Sequence, residues 1–106
     1  NTIDIISKEW FDKVNGNSYF AGTITVDYKT ETEETFLMPF QYGYGSQHEQ
    51  EAKCILTQFN KISSNWNQNL YSYCKENNIK FCSSIQTECK QKELKEIENE
   101  YNRNLN

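Results

Sequence analysis

Several things are nearly or wholly missing from this chain of 106 residues. It has one proline, one methionine and one histidine. Arg103 is the sole arginine. No apolar run approaches the roughly 18 residues a membrane-spanning helix needs, so no membrane span is expected. No secretory leader is visible and no initiator methionine is present, so trimming at the start is expected. The four cysteines, Cys54, Cys74, Cys82 and Cys89, form no CxxC pair, and with only one histidine beside them a structural zinc site is not expected. They read as reduced thiols of a cytosolic protein. There is no P-loop and no GxGxxG, and Gly43-Tyr44-Gly45 alone is a weak signal. His48 has no recognisable nucleophile or carboxylate partner, so catalysis is not expected. No metal and no cofactor are called for.

What is present is aromatic and acidic. Fifteen acids against eleven Lys and Arg leave a net charge of −4. A duplex-DNA or long-RNA binder carries a basic face, so neither is an expected partner. A small anionic ligand is compatible, because a few local donors suffice. Aromatics make up 14% of the chain, so rings must supply much of a modest core. The length suits one domain, residues 1–106.

The stretch FLMPFQYGYGSQHEQE, Phe36 to Glu51, organises the rest. A hydrophobic run meets Pro39, then a glycine corner, then a helical pattern. Such a corner can present rings and backbone N–H groups to a ligand. It can equally be a plain strand-to-helix turn. Ser46 with Glu49 has the spacing of a capping box, in which two helix-end N–H groups are satisfied reciprocally. His48 then falls in the first turn and reads as solvated or capping. Ala52, Ile55, Leu56 and Phe59 recur at helical spacing and should face the core.

Around this stretch, Thr2–Ile6 reads as a strand and Ser7 as the cap of a single turn that packs Trp10 and Phe11 inward. Asn15-Gly16 marks a hairpin. Tyr19–Tyr28 alternates with period two, and Thr35–Phe40 follows with Pro39 at an edge or strand end. Trp66 should cover the core edge from a polar loop. Leu70–Asn77 is a short helix and Ile79–Thr87 a fourth strand. Residues 87–105 form a long helix capped by Thr87, with a thin stripe of Leu94, Ile97, Tyr101 and Leu105. That stripe reads as a seam between subunits, with docking on its own domain the close alternative. The fold class is α+β. Four strands in the order β-β-β-α-α-β-α form a small antiparallel sheet, helices cover one face, and the C-terminal helix is long.

Exposed rings beside glycines stack on nucleobases, which points to Tyr42, Tyr44 and Phe81. Each also has an ordinary core or turn role. Arg103 suits a phosphate, with Lys90 in support, and Asn or Gln amides such as Gln47 and Asn99 suit base or ribose edges. With His48, these complete the candidate ligand-binding set.

Three runs, SKEWFDKVNGNSYFAGTITV, PFQYGYGSQHEQEA and LYSYCKENNIKFCSSIQTECKQKELK, carry a likeness to known proteins. Together they cover most of the chain. Pro39-Phe40 through Gly45 is the most specific part, with Trp10-Phe11 and Gly16-Asn17 in support. The chain resembles the first-described family of phage Thoeris anti-defence proteins. The resemblance implies a sponge that binds and sequesters cyclic ADP-ribose isomers, in some members cyclic oligonucleotides, without cleaving them. It also implies homo-oligomers and the cytoplasm of an infected or lysogenic bacterium. One departure stands: a pyrophosphate ligand favours more than one arginine, and this chain has only Arg103. Two other functions fit the residues. One is an acidic inhibitor that covers a host defence enzyme, with Glu31, Glu33, Glu34, Glu49 and Glu51 as its face. The other is a hydrolase of signal nucleotides dependent on His48.

Overall fold

The computed structural model describes residues 1–63 and 67–104. Trp66 and Leu105 lie outside the described residues. The elements are β1 (Thr2–Asp12), β2 (Asn17–Val26), β3 (Glu34–Tyr42), α1 (Gln47–Gln58), α2 (Leu70–Glu76), β4 (Lys80–Gln86) and α3 (Gln91–Asn104). The α+β class, the four strands and their order are as expected. Among the described residues no helix is long and apolar enough to cross a membrane.

The sheet order is β3-β2-β1-β4. β1 is antiparallel to β2, and β2 to β3. β4 runs parallel to β1, so the sheet is mixed rather than wholly antiparallel. Parallel neighbours need a long crossover, and the two helices between β3 and β4 provide it. Pro39, which has no N–H to donate, lies on an edge strand as expected.

β1 does not stop at Ile6. Its pairing with β2 continues unbroken from Ile3↔Val26 to Asp12↔Asn17. The hairpin turn at Gly16 (φ 70°) fixes that register, and ladder bonds for every backbone group outweigh a local cap at Ser7. Trp10 and Phe11 therefore point to opposite faces, and Phe11 is exposed rather than packed inward.

The two faces carry separate cores. Ile3, Ile5, Phe20, Ile24 and Met38 pack against Ala52 and Leu56 of α1 and Leu70 and Cys74 of α2. Phe59, expected in that core, is largely exposed and meets Phe36 at its edge, ring centroids 5.1 Å apart. Tyr71 is exposed, while Tyr73 of the same helix packs inward. On the opposite face Ala21, Cys89 and Leu94 are buried, with Trp10, Tyr19, Phe40 and Ile97 around them. The helices thus cover both faces, not one. The described part of the α3 stripe packs within the chain: Leu94 is buried, Ile97 packs beside it, and the Tyr101 hydroxyl donates to the Thr35 carbonyl at 3.2 Å.

α3 starts at Gln91, later than a Thr87 cap would place it. The Glu93 carboxylate accepts from the Lys90 N–H at 2.6 Å and supplies the cap from within the first turn.

All four cysteines are free. Burial pushes the Cys74 thiol up from 9.0 to about 11. Cys89 is also raised, by burial first and then by the nearby Glu93 carboxylate. A folded-state value above the unfolded one favours the protonated thiol. The Cys74 contribution to stability is therefore complete below pH 9 and is lost as pH rises from 9 to about 11. Iodoacetamide at neutral pH should label the exposed Cys54 and Cys82 and spare Cys74 and Cys89 until the chain unfolds, as read by peptide mass mapping.

Candidate ligand-binding site

The corner between β3 and α1 is built by a bulge and two glycines. The β2–β3 register moves from Gly22↔Met38 to Phe20↔Gln41, so Pro39 and Phe40 together stand opposite Ala21. One extra residue inverts the alternation beyond it. Phe40 is thereby turned onto the α3 face, beside Tyr19.

A row of rings results. Trp10 and Tyr19 are direct partners across β1–β2, stacked with centroids 5.4 Å apart. Tyr19 and Phe40 stack at 5.2 Å and 12°. Tyr42 meets Tyr19 edge-on at 5.9 Å. Lys95 of α3 holds its ammonium 5.9 Å from the Phe40 centroid. Trp10, Tyr19 and Phe40 are each half-buried and Tyr42 is exposed. The row is therefore a shelf: one side packs on the sheet and α3, and ring area stays open to solvent. Lys8 lies on the same face, close enough to Cys89 to act on its thiol.

Gly43 and Gly45 take the chain away from the shelf. Gly43 has φ 158° and is buried; a Cβ there would stand 2.6 Å from Cε1 of Phe20. Gly45 has φ 62° and open space around it. The Ser46 side chain makes no cap bond. Instead Gln47 Oε1 accepts from the Tyr44 N–H at 2.8 Å, and Glu49 reaches across to β4. The expected capping box is not formed because its acid is drawn to a more distant donor.

That donor is Ser83. Its hydroxyl donates to Glu49 Oε2 at 2.8 Å and lies 3.2 Å from His48 Nε2. His48 Nδ1 is 2.9 Å from the Gly45 carbonyl. A carbonyl only accepts, so this partner assigns the proton to Nδ1. His48 is not solvated but 4% exposed. The Ser83 hydroxyl has one proton and faces two acceptors, Glu49 Oε2 at the shorter distance and His48 Nε2. The cluster ties the glycine corner and α1 to β4.

The residues expected to bind ligand fall in several places. Tyr42, Tyr44 and Gln47 share the corner, all exposed. His48 is buried under it. Phe81 packs against the α1/α2 core. Lys90 precedes α3, and Asn99 and Arg103 lie in its second half. There the Arg103 guanidinium holds Glu96 at 2.8 Å, and this bond, followed by one from Asn99, lowers the Glu96 carboxyl below its usual range. Tyr101 fastens that half of α3 to Thr35, at the far end of β3 from Tyr42. The corner and the Arg103 turn are therefore separate places in one chain.

Trp10, Tyr19, Phe40 and Lys95 are not among the ligand-binding residues expected from the sequence. Counting back from the Asn15-Gly16 turn would have paired Trp10 with Tyr19. Phe40 carried no such signal, because the bulge that turns it has none. The acidic set is also dispersed. Glu34 pairs with Lys61, Glu33 accepts from the Lys29 N–H, and Glu49 is held by Ser83 on β4, the edge strand opposite β3.

A groove of ≈ 890 Å³ runs between α1 and the start of α2, lined by Gln50, Lys53, Cys54, Thr57, Asn69 and Tyr71 among others. None of the expected residues lines it. With Tyr71 as the one aromatic ring among these described walls, it offers less to a planar ligand than the shelf does.

No known protein family, no curated protein and no solved structure matches this chain.

Proposed function

We propose that this chain binds a cyclic ADP-ribose isomer and sequesters it without cleaving it, so that the immunity triggered by that signal stays off in an infected bacterial cytoplasm. The observation that carries this reading is the shelf of Trp10, Tyr19, Phe40 and Tyr42 with Lys95 beside it. A purine base has a planar face that stacks on such rings, and an ammonium at the rim suits a pyrophosphate. The likeness in Pro39–Gly45 and Trp10-Phe11 supports the same ligand class. The shelf relieves the single-arginine difficulty, since Lys95 and Lys8 supply positive charge on that face. Assembly into oligomers, which the resemblance implies, would have to use surface other than Leu94 and Ile97, which pack within the chain.

Calorimetry with a cyclic ADP-ribose isomer tests the proposal, followed by heat denaturation and chromatography of the released ligand. Binding with recovery of intact ligand is the expected result. Tyr42 is exposed, so Tyr42→Ala should fold normally. Loss of one stacking ring contributes roughly 1–3 kcal/mol, so this variant should bind about 5- to 150-fold more weakly. Absence of heat at micromolar ligand, or recovery of a cleaved product, would reject the reading.

A further inference from the structure

The two edges of the sheet are treated differently. β3 has Pro39 and a bulge, and at Thr35 a carbonyl already accepts from Tyr101. These features block strand addition. β4 has none of them. Its seven residues KFCSSIQ alternate exposed and half-buried, with no proline and no acid. In a chain of net charge −4, it is a strand with no carboxylate of its own, and the acid beside it, Glu49, is held by the Ser83 hydroxyl.

The direction of its hydrogen-bonding groups can be worked out. The Lys80 N–H donates to the Asn1 carbonyl, toward β1. Backbone groups alternate sides along a strand, so those of Cys82, Ser84 and Gln86 also point to β1. Those of Phe81, Ser83 and Ile85 point outward. Among the described residues no backbone partner meets these three N–H groups.

We propose that β4 pairs antiparallel with β4 of a second copy of this chain, with Ser83 opposite Ser83 on a two-fold axis. This register overlaps the whole strand and follows from its own pattern. Phe81 then faces the partner's Ile85, and each of the outward residues exchanges both its N–H and its C=O. An aromatic facing a β-branched residue is a favourable cross-strand pair. Lys80 faces Gln86, so no like charges oppose. Cys82 faces the partner's Ser84 as a pair without mutual hydrogen bonds, whose Cα atoms come within about 4.5 Å. That is inside the range a disulfide spans. The two sheets join into one across the axis, an isologous contact that closes on itself.

The test uses the full chain with Cys54→Ser throughout, which removes the other exposed thiol. Sedimentation across a concentration series should show a monomer–dimer equilibrium. Under mild oxidation S84C should become a covalent dimer on a non-reducing gel, through Cys82 and position 84 of the partner. The same background without S84C should stay uncrosslinked. So should S84C combined with C82S. Position 84 is exposed, so folding should be retained, and circular dichroism checks it. A monomer at every concentration would overturn the proposal. So would an S84C that does not crosslink, or crosslinking in either control, which would require another register or surface.

Discussion

Gly22→Ala is expected to lower the free energy of unfolding by about 3 kcal/mol, read as a fall in the urea midpoint with unchanged slope. Gly22 faces Ser7 across the β1–β2 ladder and is buried. A Cβ there would lie 2.4 Å from the Ile6 carbonyl oxygen, 2.8 Å from Ser7 Oγ and 2.9 Å from Ser7 Cα. Two of these three atoms belong to the backbone, so rotamer changes cannot relieve the contact. The central pair of strands must separate, and the main core depends on both. The partner position predicts the opposite sign. Ser7 is 2% exposed and its hydroxyl has no hydrogen-bond partner among the described residues. An unpaired buried hydroxyl costs roughly 1–3 kcal/mol. Ser7→Ala removes it with little loss of volume and should leave stability equal or higher. Equal midpoints for Gly22→Ala and the unmodified chain would show that the strands are not in this contact.

The second large effect is expected at Leu94. It is the residue of α3 that is buried outright, 0% exposed, and sits on Ala21 at the centre of the second core. Truncating a leucine in such a site costs about 2–5 kcal/mol, the spread reflecting how far the cavity collapses. A helix of this length is marginal by itself in water, so its order rests on this docking. Leu94→Ala should therefore lower the midpoint and speed amide exchange throughout α3 before the sheet opens. Because Leu94 packs within one chain, the loss should be the same at low and high protein concentration. A loss that appears only on dilution would mean that the stripe joins two subunits. With Lys95 displaced from Phe40, ligand binding should weaken together with stability.

Much of the architecture was legible because it is periodic. β2 alternates cleanly, α1 has its apolar positions at helical spacing, and Asn15-Gly16 marks its hairpin. The errors lie where a distant partner outcompetes a local one. Ser7 has the form of a helix cap, but pairing with Gly22 makes it a strand residue. Glu49 has capping spacing, but Ser83 takes its carboxylate. The parity of Phe40 depends on a bulge that period-two reading cannot register, and with it goes half of the aromatic shelf. The parallel sense of β4 and the face chosen by α3 leave no trace in either element's own pattern. They are decided by how the crossover packs. His48 looked solvated because every neighbour in sequence is polar, and its burial is set by a strand far along the chain.

The parallel alignment of β1 with β4 also fixes the geography of the chain's first residue. The Asn1 carbonyl accepts from Lys80, and the Thr2 carbonyl from Asp27. Both contacts lie at the end of the sheet remote from Trp10 and Tyr42. An affinity tag or sensor-surface tether attached at Asn1 would therefore leave the ring shelf facing away from the support. One attached after the exposed Tyr44 would sit beside the rings it is meant to report on.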